Sequence, residues 1–159
     1  MKIKDIIKLV ASIFLCQLAG FIGSLFTTPA ISTWYETLRK PFFTPPNWIF
    51  GPVWISLYVL MGISLFVVWR RNDHPEFKTA LIFFFVQLIF NILWSMSFFG
   101  LRSPLLGLID IILLWIAILL TIQNFLKVSR IAGLLLFPYF LWVSFAALLN
   151  LFLWMMNLP

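Results

Sequence analysis

Five apolar runs, each long enough to cross a lipid bilayer, constrain this chain more than anything else in it. They fall at about residues 6–26, 52–69, 79–99, 104–126 and 131–156. A hydrocarbon core about 30 Å thick takes about 20 helical residues at 1.5 Å rise each. Backbone N–H and C=O groups find no water there, so each run must satisfy its own hydrogen bonds as a helix. Composition agrees, with 10% charged and 63% hydrophobic residues and a mean hydropathy of +1.07, against roughly 25% charged in soluble domains. So few charges cannot cover a surface that faces water. The expected fold is an all-α integral membrane protein: a five-transmembrane-helix bundle forming a single domain over 1–159, with one long Pro/aromatic-rich loop between helices 1 and 2.

The formal charge of +6 does not indicate nucleic acid, because Lys and Arg sit in short connections and not along one polar face. Counting them gives an orientation. With the N-terminus inside, the inner side carries Lys2, Lys4, Lys8, Arg70, Arg71, Lys78, Lys127 and Arg130, and the outer side only Arg39, Lys40 and Arg102. The positive-inside rule therefore places the N-terminus inside and the C-terminus outside. The basic N-terminus followed by an apolar run resembles a signal peptide, yet no small-x-small cleavage site interrupts the run through Phe26, so a retained first helix is expected.

The connection at 27–51 is unlike a solvated linker. Pro41, Pro45, Pro46 and Pro52 restrict φ and lower the entropy lost on ordering, while Trp34, Tyr35, Phe42, Phe43 and Trp48 seek apolar surface. Such a segment is expected to lie across the helix ends as a lid, with Tyr35 and Pro45 over the interior. An interfacial anchor at the headgroups is the alternative. Pro52 is expected in the first turn of helix two, where a missing N–H costs nothing.

Polar groups inside lipid need protein partners and mark the bundle interior. Gln87, Asn91, Trp94, Ser95 and Phe98 share one face of helix three. Tyr139, Trp142, Ala146 and Asn150 do so in helix five, and Trp54, Tyr58 and Met61 in helix two. Three stripes of indoles, phenols and amides either line one cavity for a flat conjugated ligand or hold the helices together by packing and hydrogen bonds. Periodicity alone leaves both open and leans to the second.

The remaining chemistry is sparse. Asp110 is the carboxylate expected within a span, either a functional site, or near enough to the surface to stay wet, or, the favoured reading, a structural partner such as one for a helix-end group. His74, between Asp73 and Pro75, reads as a solvated loop histidine. Cys16 reads as a buried inert thiol. Gly20, Gly23 and Ser24 suit close packing, within the bundle or between two copies. No nucleophile–base–acid set, no His or Cys cluster with metal spacing and no phosphate-cradling glycine loop is present. No cofactor is expected to be required, and no metal site.

Several of these residues also carry a resemblance. The string Trp34-Tyr35…Leu38…Lys40-Pro41…Phe43…Pro45-Pro46…Trp48…Phe50-Gly51-Pro52-Val53-Trp54…Leu57-Tyr58…Met61-Gly62 resembles the first-loop and second-helix signature of the tryptophan-rich sensory protein or translocator protein family, also called the peripheral-type benzodiazepine receptor family. Asn91…Trp94-Ser95 and Pro138-Tyr139…Trp142…Phe145-Ala146…Leu149-Asn150 match it too, so the likeness spans essentially the whole chain.

The resemblance implies a five-helix bundle, often a homodimer, with a pocket closed by the first loop. It implies a bacterial-type member in the cell membrane whose ligand is protoporphyrin IX or a related tetrapyrrole, in porphyrin homeostasis or stress response. Positions matching Trp54, Asn91, Trp94, Trp142 and Ala146 line the family's pocket. Those matching Trp54 and Trp142 are implicated in light- and oxygen-dependent porphyrin breakdown, which makes a degrading enzyme one alternative and a transporter of porphyrins or other amphiphiles another. Tyr35, Pro45, Tyr58, Gln87, Phe98 and Tyr139 complete the expected contacts from the loop and the stripes. The chain departs from the animal members in one respect: no basic residue follows Arg130, so the helix-five sterol pattern is not met.

Overall fold

The computed structural model describes residues 3–158, so Lys2 lies outside the described residues. Five helices follow one another: α1 (Ile3–Tyr35), α2 (Asn47–Trp69), α3 (Phe77–Gly100), α4 (Pro104–Val128) and α5 (Arg130–Met156). Each is long and apolar enough to span a membrane, and no strand occurs among the described residues. The protein is a multi-pass, all-helical membrane protein.

Two helices reach further into the long connection than their apolar runs indicate. α1 continues past Phe26 because Thr27 Oγ1 donates to the Gly23 carbonyl (3.2 Å) and Thr33 Oγ1 to the Pro29 carbonyl (2.8 Å), keeping the hydroxyls within the helix. Pro29 offers the ladder no N–H, and the helix widens into a π-turn at Ile31–Tyr35. α2 begins directly after Pro46, well before the expected start at Pro52. Pro52 therefore lies inside α2 and not in its first turn, and it leaves the Trp48 carbonyl without its helical donor. The connection shrinks to residues 36–46.

α3 also ends in a π-turn, Met96–Gly100. The tight turn after it holds Arg102 at φ 53°. Ser103 caps α4 by accepting from the Leu106 N–H (3.2 Å), with Pro104 at the first helical position. α5 is broken at Leu136 into Arg130–Leu135 and Phe137–Met156, since Pro138 cannot donate to the Leu134 carbonyl.

Burial is arranged for a lipid solvent. Val10, Phe14, Phe21 and Leu25 on α1 and Ile82, Phe85 and Ile89 on α3 are exposed, while Met61, Phe84, Ile111, Leu114, Ile118 and Phe125 are completely buried. α1 packs closely on α2 and α3, and α4 on α3 and α5. Gly62 makes the α1–α2 crossing possible, because a Cβ there would stand 2.5 Å from Ile13 Cα. α2 packs against Arg130–Leu135 but meets α3 and Phe137–Met156 at few places, so those elements part company in the half of the bundle nearer residues 36–46.

At the opposite end the cations serve helix termini. Arg71 Nη1 donates to the Val128 carbonyl at the end of α4 (2.6 Å). Arg70 lies 3.8 Å from Asp5, and Lys127 4.0 Å from Glu76. His74 sits in this connection, its Nδ1 accepting from the Glu76 N–H (3.2 Å), as a loop histidine should.

Candidate functional site

Where α2, α3 and α5 separate, a cavity of about 530 Å³ opens, within the range of small-molecule sites. Each helix presents part of the stripe that its spacing predicts, while Met61, at the foot of the α2 stripe, is completely buried and does not line the cavity. α2 contributes Trp54 and Tyr58, α3 contributes Asn91, Trp94, Ser95 and Phe98, and α5 contributes Trp142, Ala146 and Asn150. The rings form a continuous surface: Trp54 to Tyr58 at 5.7 Å, Trp54 to Trp94 at 6.0 Å and Trp94 to Phe98 at 5.9 Å between centroids. Opposite them Trp142 meets Phe50 at 6.0 Å and Phe145 at 5.5 Å.

The floor is a polar network. Tyr58 Oη donates to Asn91 Oδ1, Asn91 Nδ2 donates to Tyr139 Oη (2.9 Å), and Tyr139 Oη donates to Gln87 Oε1 (2.9 Å). Gln87 and Tyr139 are buried beneath this floor and do not line the cavity. They share the predicted faces but sit deeper, so their place is in holding α3 to α5. The stripes thus wall a cavity at one depth and join helices at another. Trp94 Nε1 likewise donates to Asn150 Oδ1 (3.1 Å), and Asn150 Nδ2 to the Pro104 carbonyl (2.8 Å). The Trp142 indole N–H is the exception, buried with no partner.

Residues 36–46 do not line the cavity, and that includes Pro45. With both flanking helices extended, the wall at this end is made by Tyr35 on one side and Asn47, Trp48, Phe50 and Gly51 on the other. The connection instead braces the bundle. Phe43 packs on Phe145 and Phe152 (6.3 and 5.3 Å), and Arg39 N–H donates to Asn157 Oδ1 while Asn157 Nδ2 donates to the Arg39 carbonyl (both 2.9 Å). Phe42 points outward, 100% exposed, as a membrane-surface anchor would, while Trp48, 75% exposed, stands at the rim of the cavity.

α1 supplies a wall that the sequence reading did not assign to the site. Gln17, Gly20, Phe21, Ser24, Thr28 and Ile31 recur every three or four residues on one face and line the cavity. The signal was there, as a stripe of small and polar side chains in an apolar helix, but it reads equally as close packing. Gly20 does both, since a Cβ would approach Tyr58 Cε2 to 2.4 Å. Gln17 Nε2 bridges to the Ile55 carbonyl (3.0 Å) where α1 and α2 begin to part.

Among the described residues, no Asp, Glu, His, Lys or Arg lines the cavity, and no three His, Cys, Asp or Glu side chains cluster as metal ligands. Asp110 lies elsewhere, half-buried, accepting from Ser97 Oγ in the α3 π-turn, the structural partnership expected of it. The chemistry on offer is stacking on aromatic faces and hydrogen bonding to the side chains of Thr28, Asn47 and Ser95 on the wall.

Residues 12–155 match the sequence model of the TspO/MBR family. The chain belongs to that family. Among its TspO/MBR relatives are two proteins named Tryptophan-rich protein TspO. That of Archaeoglobus fulgidus is 48% identical over 96% of this chain and 99% of its own, and that of Chlorobaculum tepidum is 47% identical over 97% and 98%. The human Translocator protein is 36% identical over 89% of this chain and 85% of its own. The TspO/MBR match takes in all five spans and the residues that wall the cavity.

Proposed function

We propose that this TspO/MBR protein is a membrane receptor for a flat conjugated tetrapyrrole, protoporphyrin IX or a close relative, acting in porphyrin homeostasis or stress sensing. One observation carries the reading: a cavity of about 530 Å³ whose wall combines Trp54, Trp94, Phe98 and Trp142. Broad π-faces stack on a planar macrocycle, and the hydroxyls and amide of Thr28, Ser95 and Asn47 on the same wall offer directional contacts. The distribution of Lys and Arg supports a cell-membrane protein with its N-terminus inside and its C-terminus outside.

Titration of purified protein with protoporphyrin IX, read by quenching of tryptophan fluorescence, tests this. Trp142→Ala together with Trp54→Ala should weaken binding by at least roughly tenfold, about 1.4 kcal/mol. Unchanged affinity in the double variant would remove the cavity as the binding site.

A second reading has its own support. Trp54 and Trp142, both oxidisable, wall the same cavity, so a bound porphyrin excited by light would find electron-rich indoles beside it. Illumination with oxygen should then yield a new absorbing product that depends on the protein and is lost when both residues are changed to Phe. Proton-coupled transport is less well supplied, since such pumps place ionisable residues along their pathway and this wall carries no acid, base or histidine among the described residues.

A further inference from the structure

We propose that the seam between α1 and α2, at the end of the bundle away from residues 36–46, binds the headgroup of an anionic phospholipid through Lys4, Lys8 and Arg70. This surface is separate from the cavity and stands whatever the cavity holds.

The seam lies where a headgroup would be. α1 and α2 run antiparallel, with Gly20 against Tyr58, Ile13 against Gly62 and Lys8 against Trp69, so the start of one helix meets the end of the other. Lys4 and Lys8 stand one turn apart on α1, and Arg70 follows α2 directly. Ile3, Ile6, Ile7 and Val10 around the lysines are exposed, as is Trp69 in part. Apolar side chains on the bilayer side and an indole beside the cations mark the level where hydrocarbon gives way to phosphate.

The charges there are out of balance. Elsewhere at this end the protein supplies partners: Arg71 serves the Val128 carbonyl, and Lys127 reaches Asn124 Oδ1 at 3.4 Å and Glu76 at 4.0 Å. On the seam, Lys4 is exposed and Lys4 and Lys8 form no ion pair among the described residues. Lys8 Nζ donates to the Trp69 carbonyl at 3.4 Å, which leaves two of its N–H bonds. Arg70 stands 3.8 Å from Asp5, beyond hydrogen-bond length, and its side chain is 56% exposed. Three cations thus share one acid, and the lysines, at i and i+4, repel each other. A phosphodiester brings one negative charge and two oxygens that accept from ammonium and guanidinium groups. A choline or ethanolamine headgroup would add a further positive charge to the seam, which favours an anionic lipid.

Two of the three cations are also held in place. Lys8 Nζ lies 5.6 Å from the Trp69 ring centroid, and the Arg70 guanidinium lies over the Phe66 ring at 5.8 Å. Side chains already fixed lose little rotamer freedom on binding. A basic stretch that only orients the chain needs no such fixing.

Phosphatidylglycerol, phosphatidylcholine and phosphatidylethanolamine with identical acyl chains test this, added to delipidated protein in detergent. Bound lipid is read by native mass spectrometry, and the unfolding midpoint gives a second measure, since a ligand of the folded state raises it. Phosphatidylglycerol should bind at least roughly tenfold more tightly than either zwitterion. Lys4→Gln should weaken it about fivefold, the scale of one cation at a membrane surface. Lys4 makes no listed bond that the fold would lose, so this variant reads the site even if the next one misfolds. Lys8→Gln with Arg70→Gln should reduce phosphatidylglycerol to the phosphatidylcholine level. Lys78→Gln with Arg130→Gln removes the same charge from exposed positions without ion pairs at the same end, and should leave binding within about twofold of wild type.

Equal binding of phosphatidylglycerol and either zwitterion would overturn the proposal, as would unchanged binding in Lys4→Gln. Equal weakening by the Lys78 and Arg130 pair would do so too, because the net charge of this end, not the seam, would then attract the lipid. Inorganic phosphate that raises the midpoint as far as phosphatidylglycerol does, at the same concentration, would make this a site for a soluble anion and not for a lipid.

Discussion

Tyr139 uses both functions of its hydroxyl where water does not reach, accepting from Asn91 and donating to Gln87. Tyr139→Phe leaves that amide donor and acceptor unpaired at once. An unsatisfied buried group costs about 1–3 kcal/mol, so thermal unfolding in detergent should shift clearly downward. An unchanged midpoint would mean that the network holds nothing. Gly20→Ala acts differently, because its new Cβ would sit 2.4 Å from Tyr58 Cε2. The Tyr58 ring must turn, breaking its bond to Asn91, at an overpacking cost of about 1–3 kcal/mol. Protoporphyrin IX should bind more weakly to this variant, and unchanged binding would mean that the ring yields without disturbing the wall. Single residues also mark how far sequence reaches. Periodicity placed Trp54, Asn91, Trp94 and Trp142 on inward faces because angle around a helix axis is written in spacing. Depth along the axis is not, and so Gln87 and Tyr139, on the same faces, turn out to lie under the cavity.

At the scale of elements, the apolar runs gave the five helices but not where they stop. Hydropathy falls at Thr27 and Thr28, yet α1 runs on to Tyr35, because threonine hydroxyls can bond inside the helix and Pro29 is absorbed by a π-turn. The two ends of the long connection consequently became cavity wall, and the prolines between them became a brace. The start of α4 was more legible, since the apolar run begins at Pro104 and the helix does too, capped by Ser103. Ser103→Ala removes the acceptor for the Leu106 N–H and should cost about 1 kcal/mol, measured as a lower unfolding midpoint. Ser103→Asp, which keeps an acceptor and adds a charge favoured at a helix N-terminus, should hold the wild-type value. If both variants unfold alike, the cap is not what starts α4.

For the whole molecule, the decisive asymmetry is between its two ends. One carries the cations that close α2 and α4, among them Arg71 on the Val128 carbonyl. The other carries the Arg39–Asn157 brace, Lys40 and the exposed side of the cavity. Lipid enforces the five spans whichever way they point, so orientation rests on the cations alone, and the compartment faced by the exposed side of the cavity rests on orientation. Cysteine labelling decides it. Cys16 is fully buried and serves as a silent background thiol. Phe42→Cys, at an entirely exposed position of the brace, and Asn72→Cys, in the exposed connection between α2 and α3, leave the count of Lys and Arg unchanged. A membrane-impermeant maleimide applied to intact cells should label the thiol at position 42 and reach position 72 only after permeabilisation. The opposite pattern would invert the molecule, put the Lys40 end inside and make the exposed side of the cavity face the cell interior. Label at both positions in intact cells would mean that the chain inserts both ways, and the bias of Lys and Arg toward one end would then have no orienting effect.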